Sequence, residues 1–500
     1  MSTRLLLVAV LLIGVVARFA TVTRPYDERS LAAWREADYL SIARSFDREG
    51  LDPLHPRVDW REDTPGYAEM ELPVLPWLAA LLYRLFGPHE QILRLLSALS
   101  AALALVLFAR LAARVVPPPG ALLATAAFAA NPLLLHFAGS IQPDPLMVLL
   151  TILAMDALWR WVEGAPDGAL VGAGAWAGAA ILAKGFGFFL GFAFAFLILR
   201  KRGIRALADP AVWLAGALAV VPAFAWYAWA HHLYVTTGLS LGVTNEHHWI
   251  SWALLRAPRE PLLGNLRSEG LNVFVALGIP LAACAFLQPW RRIEPAVVWY
   301  LAAAVAYVLT ANTSGTDWAL YYHSISVPPA CLLAGFGLAG LFARAREEPA
   351  IRAGAMRGVG IALGVALVAY GGFRTTRLAY WRDALQTEEK ELYRCSRELA
   401  PRVPPDGKIV VRGGPSHKAY GHETAWNESL AFAWMDRKGF NYPRDAYSLA
   451  TLDRIAARGG RYWLAEPPDL LDPALRAEVE ERYRELGRCD GYVLYDLAPR

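Results

Sequence analysis

The sequence predicts a polytopic α-helical membrane protein with a small C-terminal α/β domain, on the grounds of its composition and the distribution of its charges. Of the 500 residues, 56% are hydrophobic and 19% are charged, whereas a soluble protein of this size carries about a quarter charged residues. Long apolar stretches fill residues 4–373, and the sequence after Tyr380 is mixed and polar. We therefore expect a transmembrane domain over residues 1–379 and an extracytoplasmic α/β domain over residues 380–500.

About eleven segments of the first domain are long and apolar enough to cross a bilayer, which takes about 20 mostly apolar residues in a helix. They are residues 4–23, 90–114, 120–137, 143–162, 168–184, 186–200, 210–233, 270–288, 294–311, 323–343 and 356–373. A further stretch, residues 72–86, is apolar but short and is interrupted by Pro73 and Pro76. It can form a short span, a re-entrant helix or an interfacial helix.

Short basic clusters indicate the orientation of the spans. These clusters are Arg110/Arg114, residues 200–205, Arg291/Arg292 and residues 344–357. If residues 72–86 do not cross, all four clusters lie on the side of the N-terminus, which the positive-inside rule then makes the cytoplasm. Residues 24–89 become a loop on the outer face, together with the C-terminal domain. A cleaved signal peptide is the alternative for the first segment, and cleavage leaves the loop outside as well.

Composition also bears on localisation and partners. Arg far outnumbers Lys, and Ala and Gly are abundant, as in a GC-rich bacterial genome, so we expect the bacterial cytoplasmic membrane. The net charge of +4 is too small to indicate the basic surface that binds nucleic acids, so no nucleic-acid partner is expected. The four cysteines exclude a disulfide scaffold, and no CxxC pair indicates zinc. Cys395 and Cys489, both in the C-terminal domain, are expected to be unpaired, buried thiols, with a disulfide between them as the alternative outside the membrane.

The C-terminal domain shows strands that alternate with helices. Residues 408–412, 461–465 and 491–497 have strand patterns. Residues 384–399, 449–458 and 473–486 have helical spacing. Such alternation is typical of an α/β domain.

The first outer loop is rich in carboxylates, most of which are expected to be solvated. Asp38 and Glu36 lie in residues 34–44 (WREADYLSIAR), whose spacing predicts an amphipathic helix at the membrane interface. Glu71 lies where the loop re-enters apolar sequence, just before Pro73. A carboxylate at such a border loses solvation and tends to have a partner or a catalytic task.

Two further charges lie at the ends of spans. Asp144, between two prolines, is either an ordinary helix N-terminal residue or a functional acid. Lys184, in an Ala-Lys-Gly turn between two spans, either extends to the surface or meets a phosphate. Residues 231–269 carry paired histidines, tryptophans and arginines. This loop is interpreted as a membrane-anchoring belt or a cover over the substrate, rather than as a metal site.

Several of these segments, in this order, resemble the GT-C superfamily of polyprenyl-phosphate-sugar-dependent glycosyltransferases. The likeness is to the branch that contains the dolichyl-phosphate-mannose–protein mannosyltransferases and the bacterial lipid A aminoarabinose transferase, and it covers roughly residues 5–341. The matching pieces are residues 34–44, Glu71-Leu72-Pro73 with Pro76-Trp77, residues 85–87 with 94–97, Gln142-Pro143-Asp144, residues 181–185, and Tyr321-Tyr322 ahead of Pro328-Pro329.

The resemblance implies roles for individual residues. Asp38 matches the catalytic base, with Glu71, Asp144 and Glu36 as supporting acids, and in some relatives the acids hold a divalent cation. Here that cation's ligands would be Asp38, Glu71 and Asp144. The resemblance places Lys184, Tyr321 and Tyr322 near the donor phosphate. Leu72 departs from the family's Glu-Lys-Pro pattern, so one phosphate-binding cation is missing. The candidates to replace it are Arg35, Arg256, Arg259 and His323.

The expected function follows from this resemblance and from the chemistry. The enzyme transfers a sugar from a polyprenyl-phosphate donor to a hydroxyl of a lipid, polysaccharide or protein acceptor at the outer face, with inversion. Such a reaction needs a base for the acceptor hydroxyl and cations for the departing phosphate. The alternatives are a transporter or flippase, since polytopic proteins with embedded acids often move substrates, and a scaffolding protein.

Overall fold

The computed structural model describes residues 3–20, 22, 33–244, 259–376 and 387–499. Its α-helices are α1 (Thr3–Phe19), α2 (Ala33–Glu49), α3 (Val74–Phe86), α4 (Glu90–Val115), α5 (Gly120–Ala129), α6 (Pro132–Ala138), α7 (Asp144–Val162), α8 (Asp167–Ala183), α9 (Leu190–Arg202), α10 (Pro210–Thr237), α11 (Arg259–Ser268), α12 (Gly278–Cys284), α13 (Trp290–Leu309), α14 (Ala311–Ser314), α15 (Val327–Arg344), α16 (Ala350–Thr376), α17 (Thr387–Leu399), α18 (Leu430–Met435), α19 (Leu449–Ala457) and α20 (Pro473–Arg482). Its strands are β1 (Ile409–Arg412), β2 (Ser416–Ala419), β3 (His422–Ala425), β4 (Gly439–Tyr442), β5 (Tyr462–Ala465), β6 (Tyr483–Cys489) and β7 (Tyr492–Pro499).

The chain divides into two compact units. The first comprises residues 1–23, 94–226 and 245–382. The second comprises residues 24–93, 227–244 and 383–500. The first outer loop and the C-terminal segment, far apart in sequence, therefore belong to one unit.

Helices of the first unit confirm the prediction of a polytopic membrane protein. Within the described residues, α4, α7, α10, α13, α15 and α16 are long and apolar enough to cross a bilayer. Two bent pairs also qualify, α5 with α6 at 46° and Arg259–Val273 with Gly278–Leu287 at 89°. The other predicted spans correspond to α1, α8 and α9, which have 17, 17 and 13 residues. The total of eleven spans stays a prediction.

Glycines let helices of this unit pack backbone against backbone. A Cβ added to Gly335 in α15 would lie 2.6 Å from the Gly120 carbonyl oxygen of α5. One added to Gly174 in α8 would lie 2.2 Å from the Ala215 carbonyl oxygen of α10. Small residues at such contacts are typical of helices that associate in membranes.

The short apolar stretch after Glu71 forms α3 in the second unit. Its 13 residues rise about 20 Å, which is less than the hydrocarbon core of a bilayer, about 30 Å thick. Leu75, Ala79 and Tyr83 are buried, and the helix packs against α2. Helix α3 is therefore shorter than a typical span, and the interpretation that residues 72–86 do not cross, on which the orientation is based, stays a prediction.

The C-terminal segment of the second unit contains the predicted sheet. The strand order is β4-β1-β5-β7-β6, with β1 parallel to β4 and β5, and β7 antiparallel to β5 and β6. Val410, Phe440, Trp463 and Tyr495 contribute to its hydrophobic core. The predicted strands β1, β5 and β7 are confirmed, and the hairpin β2–β3 and strand β4 were not predicted.

Two expectations for this segment were wrong. The helix predicted over residues 473–486 ends at Arg482, because Tyr483 enters the core and the chain pairs with β7 as β6. Cys395 and Cys489 form a disulfide, with their Cα atoms 5.3 Å apart. The packing of α17 against β6 brings the two thiols together across 94 residues, which no local spacing reveals.

The long outer loop predicted over residues 231–269 is shorter in the structure. Helix α10 continues through Thr237 and carries His231 and His232, and α11 begins at Arg259. His247, His248 and Arg256 lie outside the described residues. The length of the loop was overestimated because histidines and charged residues do not prevent a helix from continuing beyond the apolar sequence.

Candidate active site

Asp38 lies in the second turn of α2, a helix that is buried in the second unit on most of its faces. The side chains buried in it include Arg35, Glu36, Tyr39 and Ile42 as well as Asp38, which is 0% exposed. The sequence predicted an amphipathic helix at the membrane interface, with Asp38 near the lipid headgroups. Instead its charged residues near the N-terminus are enclosed by protein, so each must be satisfied by protein groups.

Two neutral N–H groups hold the Asp38 carboxylate. The Trp60 indole Nε1 donates to Oδ1 at 2.8 Å, and the Asn427 amide Nδ2 donates to Oδ2 at 3.3 Å. Burial raises the pKa of Asp38 to about 7, although the bond from Trp60 and the charge of Arg35 act in the opposite direction. A carboxyl group with this pKa exchanges a proton readily at neutral pH, as a general base must.

Arg35 and Glu71 form a buried ion pair beside Asp38 in the same helix. Arg35 Nη2 lies 3.0 Å from Glu71 Oε1, and the Tyr39 hydroxyl donates to Glu71 Oε2 at 3.2 Å. Arg35 Nη1 also donates to the Leu241 carbonyl oxygen at 2.6 Å. The structure therefore brings together four residues that the sequence singled out, namely Arg35, Glu36, Asp38 and Glu71.

Glu69 is an acid that the sequence analysis set aside as solvated. Its carboxylate accepts hydrogen bonds from the Ser240 hydroxyl and from the backbone N–H groups of Val243 and Thr244. It is 0% exposed, and burial raises its pKa. Its flanking residues, Ala68 and Met70, are apolar and buried, and this apolar context was the available signal. Glu69 anchors the loop before Glu71 to residues 240–244.

Asp59 was also expected to be solvated and is buried. Its carboxylate lies 3.8 Å from the Arg61 guanidinium, and burial raises the pKa of Asp59 to about 6. The Gly439 N–H donates to the Asp59 carbonyl oxygen at 2.9 Å, and the Glu62 N–H donates to the Gly439 carbonyl oxygen at 2.8 Å. The acidic loop is thus attached to the first residue of the edge strand β4.

In the first unit, Asp144 and Lys184 form a second buried ion pair. Lys184 Nζ lies 2.8 Å from Asp144 Oδ1 and 2.7 Å from Oδ2, and the two side chains are 3% and 1% exposed. Asp144 is the first residue of α7, so it does lie at a helix N-terminus, and its carboxylate is paired with Lys184. Lys184, in extended backbone after α8, is enclosed and does not extend to the surface.

Two tyrosines complete the surroundings of Lys184. Its Nζ lies 3.9 Å from the centroid of the Tyr321 ring and 5.2 Å from that of Tyr322. The electron-rich faces of the rings stabilise the ammonium group in this enclosed position. Lys184, Asp144, Tyr321 and Tyr322 are therefore brought together, and the place of Lys184 and the two tyrosines near a donor phosphate stays a prediction.

His323 belongs to a separate buried network in the first unit. Its Nδ1 lies 2.7 Å from Glu269 Oε1, and its Nε2 lies 2.9 Å from the Ser314 carbonyl oxygen. The hydroxyls of Tyr300 and Ser326 also donate to Glu269, which opens a π-helical turn, Glu269–Val273. Both ring nitrogens of His323 thus contact protein groups. In the sequence Glu269 is only the last residue of the predicted outer loop, and no local pattern predicts that its side chain is buried.

The remaining candidates are Arg259 and Arg256 for the phosphate contact and the acids proposed to hold a divalent cation. Arg259, the first residue of α11, is exposed, and Arg256 lies outside the described residues. Glu71 and Asp144 are each paired with a cation, and a divalent cation held by Asp38, Glu71 and Asp144 stays a prediction. Among the described residues, the one close group of potential metal ligands is Cys395, Cys489 and Asp490, in which the cysteines form the disulfide.

Known proteins share the fold of this chain. Residues 64–229 match the family described as dolichyl-phosphate-mannose-protein mannosyltransferase, and no curated protein matches the full sequence. The fold is similar to that of ArnT from Cupriavidus metallidurans bound to undecaprenyl phosphate, with a TM-score of 0.65 at 17% identity over 99% of this chain and 98% of that one. It is also similar to the Archaeoglobus fulgidus oligosaccharyltransferase in the apo form, with a TM-score of 0.58 at 13% identity over 97% of this chain and 73% of that one.

A third similar structure is the arabinofuranosyltransferase AftD from Mycobacteria, with a TM-score of 0.53 at 15% identity over 100% of this chain and 40% of that one. The predicted resemblance to the GT-C glycosyltransferases is confirmed, and glycosyl transfer is the enzyme class that the family match indicates. The matched residues 64–229 include Glu71, Asp144 and Lys184, whereas Asp38 and Tyr321 lie outside them.

Proposed function

We propose that this protein transfers a sugar from a polyprenyl-phosphate donor to a hydroxyl group of a lipid, polysaccharide or protein acceptor. The family match supports a lipid-phosphate-sugar donor, since its description names dolichyl-phosphate-mannose. The similar structure of ArnT holds undecaprenyl phosphate, the product that such a donor leaves behind.

The observation that carries the proposal is the state of the Asp38 carboxylate. It is enclosed in protein, held at both oxygens by neutral donors, and has a pKa near neutrality. The neighbouring Arg35 is already neutralised by Glu71, so Asp38 is not simply the partner of a buried cation. Asp38 is the general base.

The transfer is a single displacement. The acceptor oxygen attacks the anomeric carbon, the bond between that carbon and the phosphate oxygen breaks, and both bonding electrons leave with polyprenyl phosphate. Asp38 takes the proton of the acceptor hydroxyl as the new bond forms and later releases it to water. Attack from the face opposite the leaving phosphate inverts the anomeric carbon.

Lys184 is proposed as the main cation for the departing phosphate. Its ammonium group is held by Asp144 and by the faces of Tyr321 and Tyr322. A cation fixed before the reaction stabilises the developing phosphate charge without reorganisation at that moment. Arg35, Arg256, Arg259 and His323 are secondary candidates. The contacts of Arg35 with Glu71 and of His323 with Glu269 favour supporting roles for these two.

The proposed location is the outer face of the bacterial cytoplasmic membrane, with the N-terminus in the cytoplasm. The short basic clusters favour this orientation through the positive-inside rule. The Cys395–Cys489 disulfide supports it independently, because the cytosol keeps thiols reduced whereas the extracytoplasmic space allows disulfides to persist.

A comparison of a deletion strain and its parent by mass spectrometry of glycolipids and polyprenyl-phosphate sugars tests the transfer itself. The deletion should abolish one glycosylated product and cause a lipid-phosphate-sugar to accumulate. An unchanged glycan profile contradicts the proposed transfer.

Complementation then tests the role of Asp38. Asp38→Asn keeps the shape of the side chain and removes the base, so the rate of transfer should fall about 10²- to 10⁴-fold. Asp47→Asn is the matched control, since it makes the same change about two and a half turns along α2 at a partly exposed position. If Asp38→Asn restores the product as well as Asp47→Asn does, Asp38 is not the base.

A further inference from the structure

The first unit contains a large cavity at the opposite end of α7 from the Asp144–Lys184 pair. It has a volume of about 870 Å³ and is lined by the ends of α4, α7 and α9 and by the start of α13. Helix α7 has 19 residues and rises about 28 Å between its ends. That distance is close to the thickness of the hydrocarbon core, so this cavity lies at the level of the phospholipid headgroups of one leaflet.

The charge of the cavity wall is predominantly positive. Its charged lining residues are Arg114, Glu163, Arg200, Lys201, Arg291, Arg292 and Glu294. The two carboxylates among them are paired, Glu163 with Arg114 and Glu294 with Arg200 at 3.4 Å. Within the part of the chain that the structure describes, Lys201, Arg291 and Arg292 have no carboxylate in ion-pair contact. Lys201 Nζ donates to the Trp161 carbonyl oxygen and lies 4.2 Å from the centroid of its ring, and Arg292 Nη1 donates to Gln288 Oε1 at 3.3 Å. These contacts are neutral, so the three positive charges at the cavity have no protein counter-ion among the described residues.

Two neighbouring aromatic side chains mark the boundary of the apolar layer. Phe286 and Trp290 stack with ring centroids 6.4 Å apart, and they are 64% and 46% exposed. Exposed aromatic rings at the ends of spans typically lie at the boundary between acyl chains and headgroups. Arg291 and Arg292 follow Trp290 directly, so the uncompensated charges lie at that level.

We propose that this cavity binds the headgroup of an anionic phospholipid. The phosphate contacts Arg291, Arg292 and Lys201, and the acyl chains extend along the exposed surface that Phe286 and Trp290 mark. Basic pockets between transmembrane helices bind such headgroups through the same charge complementarity. A positive-inside bias explains why basic residues lie at this end of the spans, but it does not require them to line a cavity. This proposal is independent of the proposed transfer reaction.

The test is lipid binding to the full-length protein purified in a neutral detergent. Native mass spectrometry counts bound lipid, and the thermal midpoint reports stabilisation by ligand. We expect phosphatidylglycerol to bind and to raise the midpoint, and phosphatidylcholine to do neither at the same concentration. Equal effects of the two lipids contradict the proposal, because the charge of the headgroup then plays no part.

The variant Arg291→Ala/Arg292→Ala removes two of the three proposed contacts without breaking any described ion pair. Its affinity for phosphatidylglycerol should fall at least about tenfold. The matched control Arg346→Ala/Arg357→Ala removes two exposed arginines elsewhere in the first unit and should leave binding unchanged. Equal losses in both variants would show a nonspecific charge effect and overturn the proposal.

A separate arm distinguishes lipid from soluble phosphate. Inorganic phosphate at the same concentration should neither stabilise the protein nor compete with phosphatidylglycerol. A different outcome is that inorganic phosphate raises the thermal midpoint as much as phosphatidylglycerol does in the wild-type protein and not in the Arg291→Ala/Arg292→Ala variant. In that case the cavity is a site for a soluble anion and the lipid proposal is wrong.

Discussion

The indole N–H of Trp60 donates a hydrogen bond to the buried carboxylate of Asp38 across 2.8 Å. The two residues are 22 positions apart in the sequence, and their contact holds the acidic loop against α2. A bond from a neutral donor stabilises the ionised form of the carboxylate without neutralising it, whereas burial favours the protonated form. The balance of these two effects leaves the pKa of Asp38 at about 7, and the first prediction follows from it.

The rate of transfer should follow the ionisation of Asp38. Below pH 7 the rate should rise about tenfold per pH unit as the carboxyl loses its proton, and it should level off above this value. Trp60→Phe removes a bond to the ionised form, so the pKa should rise and the profile should shift to higher pH. The measurement is a pH–rate profile of both proteins, and a wild-type midpoint near pH 4 would contradict the raised pKa.

Ionisation of the same group should also affect stability. The pKa of Asp38 in the folded protein, about 7, lies above the value of 3.8 for an unperturbed aspartate. Between these values the unfolded chain has lost the proton and the folded chain still holds it. The stability contributed by Asp38 is therefore fully present below about pH 4 and is lost as the pH rises through about 7. Asp38→Asn should flatten this part of the stability profile, as measured by thermal midpoints from pH 4 to 8.

Asn427 is expected to act as a positioning residue for Asp38. Its amide donates to Asp38 Oδ2 at 3.3 Å. Hydrogen bonds to charged groups contribute about 1.5–3 kcal/mol, so Asn427→Ala should lower the rate by about one to two orders of magnitude. It should also shift the midpoint of the pH–rate profile upward. Asn427→Asp, which adds a like charge, should shift it further, and a loss of rate with an unmoved profile would indicate a merely structural role.

The Lys184–Asp144 pair can be tested without leaving an unpaired charge. Lys184→Met alone strands the buried carboxylate of Asp144, which typically costs about 3–5 kcal/mol of stability. The double variant Lys184→Met/Asp144→Leu removes both charges and keeps similar volumes, so the protein should remain folded. Its transfer rate should nevertheless fall about 10²-fold or more, because the departing phosphate has lost its cation. Near-normal transfer by the folded double variant would exclude the proposed phosphate contact.

The disulfide is expected to stabilise the second unit. It closes a separation of 94 residues between α17 and the end of β6. Replacement by Cys395→Ala/Cys489→Ala should lower the free energy of unfolding by about 2–5 kcal/mol. A reducing agent should lower the thermal midpoint of the wild-type protein and leave that of the double variant unchanged. A midpoint insensitive to reduction in both proteins would mean that the cysteines are not bonded.

Some residues of the candidate site were predictable and others were not. Asp38, Glu71, Asp144 and Lys184 stood out because a charge beside apolar sequence must find a partner when it is buried. Glu69 and Asp59 were missed because they lie among the many carboxylates of the first outer loop, most of which were expected to be solvated, although Val58, Trp60, Ala68 and Met70 beside them are apolar and buried. Glu269 was missed as a buried group because its partners Tyr300, His323 and Ser326 come from other helices.

The amino-acid sequence by itself determined that the chain has many membrane helices, where strands β1, β5 and β7 lie, and the resemblance to a transferase family. Membrane spans can be predicted from the sequence because crossing a bilayer takes about 20 apolar residues in one continuous run. The tertiary structure alone decided that Asp38 is enclosed, that Trp60 and Asn427 hold it, and that Cys395 bonds to Cys489. Asn427 lies 389 residues from Asp38. The burial of a side chain and its hydrogen-bond partners depend on which distant segments of the chain pack together, and a local sequence pattern does not indicate this packing.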